Sequence, residues 1–130
     1  MNRNYKHIGL VEFECGPGWI PLIETALTII DNHLHRKHMS NPNAGHITLD
    51  QVKEKFGGLR IYFTDHSMYS EYIDGVFDLT EAMSEHICEE CGKQGKTRGD
   101  LSWMKTLCAD HYMKAKARQY EYTKLLESEK

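Results

Sequence analysis

Cys88-Glu89-Glu90-Cys91-Gly92 places two thiols at a spacing that lets both sulfurs face one metal ion, and the glycine after them permits the tight backbone turn this requires. Further along, Cys108-Ala109-Asp110-His111 repeats the two-residue gap. If Cys108 opens a helix, Cys108 and His111 lie three apart on one face and complete a tetrahedron. Cys88, Cys91, Cys108 and His111 are therefore the expected ligands of one Zn2+. Four protein donors close the coordination sphere and leave no position for a reactive water, so the expected role is structural.

A thiol knuckle followed by ligands in a helix's first turn is similar to a treble-clef zinc finger. Other residues invite chemistry less directly. Asp31, His35 and His38 share a helical face near His33, as a second metal or catalytic group would, although a solvated helix end is the plainer explanation. Cys15 precedes Gly16-Pro17-Gly18-Trp19 and would be a nucleophile only with a base, which the sequence does not offer; a small buried residue is the simpler reading. Glu54 stands on an otherwise apolar strand face, as a buried carboxylate with a useful pKa, as a partner for a basic residue, or because the register differs by one. Lys53, Lys55, Arg60 and Tyr62 share the opposite face. They suit either ordinary solvation or an anion or nucleotide site, with Arg98 and Trp103 as a second candidate contact group.

These groups need elements to carry them. Residues 6–15 alternate loosely, with Val11, Phe13 and Cys15 on one side, and predict a half-exposed strand ending at Gly16-Pro17-Gly18. Trp19, Ile23, Ala26, Leu27, Ile30 and Leu34 form the apolar stripe of a helix beginning near Pro21, and Ser40-Asn41-Pro42-Asn43-Ala44-Gly45 ends it. Residues 47–64 predict a hairpin turning at Gly57-Gly58, which opposes Lys55 to Arg60, Glu54 to Ile61 and Lys53 to Tyr62. Val52, Phe56, Leu59, Ile61 and Phe63 then cover a core. A second helix over 68–87 is read from Tyr69, Tyr72, Ile73, Val76, Met83 and Ile87, and a last one from Tyr112, Ala115, Gln119, Tyr122 and Leu126. The expected fold is α+β: a small antiparallel sheet, made of the N-terminal strand and the Gly-Gly hairpin, packed on helices. One domain spans 1–130, with a zinc-binding subregion at 88–111 and a C-terminal helix at 112–130.

The 130 residues suit one core, and 40% apolar with 27% charged residues is ordinary globular usage. The first residues lack an apolar leader, and no apolar run approaches the length of a membrane span, so a cytoplasmic protein is expected. Three cysteines at metal spacing and one alone predict no disulfide. Net charge is −3, with residues 66–87 acidic and 93–118 modestly basic. A general duplex binder usually carries a strong basic excess, which this chain lacks.

Phe13-Glu14-Cys15-Gly16-Pro17-Gly18-Trp19, Gln51-Val52-Lys53-Glu54-Lys55-Phe56-Gly57-Gly58-Leu59-Arg60, Ile87-Cys88-Glu89-Glu90-Cys91-Gly92 and Trp103-Met104-Lys105-Thr106-Leu107-Cys108-Ala109-Asp110-His111 together resemble a family of small, largely uncharacterised proteins of bacteriophages and bacteria. The resemblance implies an accessory protein of phage type, a class that binds a host protein or sequesters a small signalling molecule. The leading expectation is a zinc-stabilised binding module for a host protein or an anionic, nucleotide-like ligand. Two alternatives stand beside it: a small nuclease or nucleotide hydrolase using Glu54 and a histidine, and a nucleic-acid binder using the basic last helix.

Overall fold

The computed structural model describes residues 4–129. Strands β1 (Ile8–Gly9) and β2 (Phe13–Glu14) lead through a single 3-10 turn, Pro17–Trp19, into helix α1 (Ile20–Ser40). The hairpin of β3 (Ile47–Lys55) and β4 (Gly58–Asp65) follows, then helix α2 (Ser70–Ser84). A two-stranded ribbon of β5 (Lys96–Arg98) and β6 (Lys105–Leu107) precedes the last helix, α3 (Ala109–Ser128).

The main sheet is mixed, which corrects the expectation of an all-antiparallel one. Both β1 and β2 run parallel to β3, with Ile8 opposite Ile47 and Phe13 opposite Val52. Parallel neighbours need a crossover element between them, and α1 is that crossover. The offset is the same in both pairings, so residues 8–14 follow one line along β3, interrupted at 10–12, where one continuous strand was predicted. The expected inner side of this segment holds: Val11, Phe13 and Cys15 pack against the core.

The β3–β4 turn also differs from the prediction. Lys55 pairs with Gly58, Glu54 with Leu59, Lys53 with Arg60 and Val52 with Ile61, so Phe56-Gly57 is the two-residue turn, not Gly57-Gly58. Both turn residues have positive φ, 53° at Phe56 and 83° at Gly57, the twist that suits a two-residue hairpin. Moving the turn by one position moves each partner by two, an even slip, and the two faces of the sheet keep their predicted members. Phe56 is the exception: it leaves the core and is 72% exposed at the turn. A register shift between Leu49 and Gln51 lets Ile47 and Leu49 share the inner face with Val52 despite the odd spacing.

Trp19, Ile23, Leu27, Ile30 and Leu34 of the α1 stripe are fully buried against Ile47, Val52 and Leu59. Helix α2 is turned relative to the predicted stripe. It buries Ile73, Phe77, Thr80 and Ser84 and leaves Tyr72 and Met83 exposed, because Phe77 rests on Phe63 with ring centroids 4.9 Å apart. Two α2 side chains also finish the free edge of β4: Ser84 Oγ accepts from Leu59 N at 2.9 Å and Glu81 Oε2 from Ile61 N at 2.8 Å. No helix among the described residues is long and apolar enough to cross a membrane.

Candidate metal centre

Cys88 and Cys91 belong to a knuckle that follows α2. Gly92 N donates to the Cys88 carbonyl at 2.9 Å, and Gly92 takes φ 82°, the left-handed conformation that glycine adopts without strain. The ribbon of β5 and β6 then returns the chain to Cys108, the N-cap of α3, whose sulfur accepts from His111 N at 3.5 Å. That N–H pulls the Cys108 thiol down to about 6, favouring the thiolate a metal needs.

The donor atoms of Cys88, Cys91, Cys108 and His111 all lie within 4.8 Å of one another. Cys91 and Cys108 sulfurs are 3.7 Å apart, and His111 Nδ1 is 3.7 Å from Cys88 Sγ and 3.2 Å from Cys108 Sγ. For metal–sulfur bonds of about 2.3 Å and a metal–nitrogen bond of about 2.0 Å, a tetrahedron has edges of about 3.5 to 3.8 Å. Two of these separations match those edges and the third is shorter, so the four groups lie close enough together to share one ion. Cys88 and Cys108 are buried, His111 is half-buried and Cys91 is exposed, so the centre lies at the margin of the fold.

Two loops from the other half of the chain dock on this centre. Gly18 N donates to the Glu89 carbonyl at 2.6 Å, Gly16 N to Glu89 Oε2 at 2.9 Å, and Trp19 Nε1 to the Ile87 carbonyl at 2.8 Å. The hairpin turn docks from the other side, where buried Thr106 donates from Oγ1 to the Gly57 carbonyl at 2.5 Å and meets Thr97 Oγ1 at 2.9 Å. The Gly16-Pro17-Gly18-Trp19 and Phe56-Gly57-Gly58 strings thus serve as seats for the segment that carries the Cys3His cluster. Glu89 and Thr106 were not singled out from sequence; glycines flanking a tryptophan were the available sign that another backbone approaches there.

Several candidate residues have structural partners. Glu54 Oε2 accepts from Gly57 N at 2.8 Å, closing the turn, and this resolves its place on the apolar face. Burial, assisted by the Glu89 charge, pushes the Cys15 thiol up to about 11, far from a thiolate nucleophile. Asp31 accepts from Lys6 N and His7 N, tying the start of the chain to α1. His35 Nδ1 lies 3.3 Å from His7 Nε2, while His38 stacks on His7 and bonds the Gly45 carbonyl. His33 lies apart from them, stacked on Tyr72 at 3.6 Å between centroids. Among the described residues, only the Cys3His group brings three or more metal-ligating side chains together closely enough to share an ion.

Lys53, Lys55, Arg60 and Tyr62 lie on the sheet face turned away from the helices. Lys53 is opposite Arg60 on one side and Glu14 on the other, and Tyr62 is opposite Gln51, which donates to Glu14. The positive row is thus flanked by carboxylates: Glu14 beside Lys53, Asp50, which accepts from Thr64 beyond Tyr62, and Glu85, whose Oε1 shares with Arg60 the space beside Gly58. Arg98 instead donates to the Leu107 carbonyl and covers the Tyr112 ring at 4.3 Å, bracing the ribbon against α3. Trp103 is 69% exposed beside Leu101 and α3. No family model, curated protein or solved structure matches the chain.

Proposed function

We propose that this protein is a zinc-stabilised binding module, whose treble-clef-like C-terminal segment holds a structural Zn2+ and whose uncovered sheet face engages an acidic partner protein. The observation that carries this reading is the closed donor set of Cys88, Cys91, Cys108 and His111, latched into the core by hydrogen bonds on both sides. Three thiolates and one imidazole gathered within 4.8 Å of one another suit zinc, which supplies cross-linking and no redox chemistry. With four protein ligands, no position remains for an activated water.

Glu54, the carboxylate that the hydrolase alternative would use, accepts from Gly57 N, and Glu81 and Glu89 likewise accept from backbone N–H groups. This weighs against the hydrolase alternative. The topology supports this choice of surface, since α1 and α2 cover one face of the sheet and leave Lys53, Lys55, Arg60 and Tyr62 on the other. None of the concave sites between α1 and α2, beside His33, beside His38 and against α3 is lined by these four residues, which favours the broad surface of a protein over a small nucleotide. An accessory protein that binds a host component, as the sequence resemblance implies, would use such a face.

Native mass spectrometry of protein taken directly from cells tests both parts: one zinc per chain is expected, together with a co-purifying protein. Simultaneous K55E and R60E should remove that partner while leaving the zinc in place. A full zinc complement with partner retention unchanged by the charge reversal would refute the surface assignment, and absence of zinc would refute the metal assignment.

A further inference from the structure

The histidines near the end of α1 belong neither to the Cys3His group nor to the open sheet face. His7 Nε2 lies 3.3 Å from His35 Nδ1, ring nitrogen facing ring nitrogen. Two imidazole nitrogens bound to one tetrahedral ion at about 2.0 to 2.1 Å stand about 3.3 to 3.4 Å apart. With no ion between them, one of the two must carry a proton, because two lone pairs repel.

The pair is held from several directions. Asp31 Oδ1 accepts from His7 N at 2.8 Å and from Lys6 N at 3.1 Å, and the His7 carbonyl accepts from Ile47 N at 3.0 Å. The backbone that carries His7 is thereby tied to α1 and to β3. Its ring is braced by His38, stacked 4.2 Å away and tilted by only 7°. His38 Nε2 donates to the Gly45 carbonyl at 2.7 Å, so that nitrogen is committed and His38 serves as a brace. His35 projects from α1 itself, a rigid support. Of the full charges that act on His7, Asp31 attracts a cation and Lys6 opposes it. Burial keeps the His7 imidazole below its ordinary value of 6.5, and the neutral ring is the form a metal binds.

We infer that His7 and His35 form a second metal site, a two-imidazole clasp for a divalent ion of the Ni2+, Cu2+ and Zn2+ class. Imidazole donors suit these ions, whereas Mg2+ and Ca2+ seek oxygen. Binding joins His7 Nε2 and His35 Nδ1 to the ion and releases the proton that lay between them. Solvent fills the remaining positions, and a cleft lined by Lys6, His7, His38 and His46 opens beside the ring. Two donors hold an ion less tightly than the closed set of four, so occupancy follows the supply of free metal. The bound ion fastens the start of the chain to α1, where β1 contributes a strand of only two residues.

The test is titration of Ni2+ alone into the untagged full chain with its Cys3His group already filled by zinc, followed by calorimetry and hydrogen exchange. Wild type is expected to take up one Ni2+, release a proton and exchange more slowly at residues 6–9. His7→Asn and His35→Asn each remove a ligand and should weaken uptake by about ten-fold or more. Two controls should bind as wild type does: His33→Asn, whose ring stacks on Tyr72, and His46→Asn/His66→Asn, a pair stacked on each other at 4.9 Å. Near-UV circular dichroism of His35→Asn checks that the fold is kept. Absence of saturable uptake overturns the inference, and so does uptake that persists in His35→Asn or that is lost in either control.

Discussion

A Cβ placed on Gly18 would stand 2.1 Å from the carbonyl oxygen of Cys88, a distance no side chain tolerates. The loop that starts α1 is in this way pressed directly onto the Cys88–Cys91 knuckle, and the two halves of the chain share one mechanical unit.

Gly18→Ala is therefore expected to be costly although it adds a single methyl. The contact is with backbone, Cys88 carbonyl and Gly92 nitrogen at 2.6 Å, so neither side can swing away, and a loss of about 3 kcal/mol is expected in urea denaturation. Gly75→Ala is the control. Nothing lies within 4 Å of its built Cβ, in the interior of α2, and the change should stabilise by about 0.5 to 1 kcal/mol. Equal effects at the two positions would mean that the Gly18 seat is absent in solution.

Chelation of the metal should be felt at Trp19, which is fully buried and bonded to the Ile87 carbonyl. In a Trp103→Phe background, which leaves Trp19 as the sole tryptophan, emission should shift to the red and hydrogen exchange should accelerate at 16–19 and 57–59 as well as at 88–111. Loosening confined to 88–111 would show that the latch does not transmit.

Replacing Glu81 with Ala strips the acceptor from Ile61 N–H on the edge of β4, and Ser84→Ala does the same for Leu59. Each should lower stability by about 1 to 2 kcal/mol, and the double variant should self-associate through the bared edge. Light scattering on heating reads this outcome. A double variant as soluble as wild type would indicate that another group covers the edge.

Burial holds the His7 imidazole below its ordinary value of 6.5, with the nearby His38 adding to the effect and Asp31 opposing it; burial followed by the Lys37 and Arg36 charges does the same to His33. A histidine with a lowered folded pKa takes up its proton more readily in the unfolded chain. Its contribution is complete above 6.5 and is lost as pH falls from there through the folded value. Thermal unfolding of wild type should fall more steeply between pH about 7.5 and about 5.5 than that of a His7→Asn/His33→Asn variant. Parallel curves would contradict the assignment.

The sequence alone settled what depends on local spacing. That Cys88, Cys91, Cys108 and His111 come together could be read because each pair is a short, stiff unit: a knuckle held by Gly92 and a helix start at Cys108. The α1 stripe and the faces of the β3–β4 hairpin were legible for the same reason, since periods of 3.6 and 2 are fixed by backbone geometry. Tertiary structure decided what depends on distant partners. The turn falls at Phe56-Gly57 because Glu54 closes it and Thr106 holds it from the ribbon, and α2 rotates to place Phe77 on Phe63 and Glu81 on the β4 edge. The direction of β1 and β2 was set by α1 crossing over the sheet. Glu54, read as a candidate for chemistry, became a hydrogen-bond acceptor because a carboxylate drawn partly out of water needs a donor, and which donor is near is known only once the chain has folded.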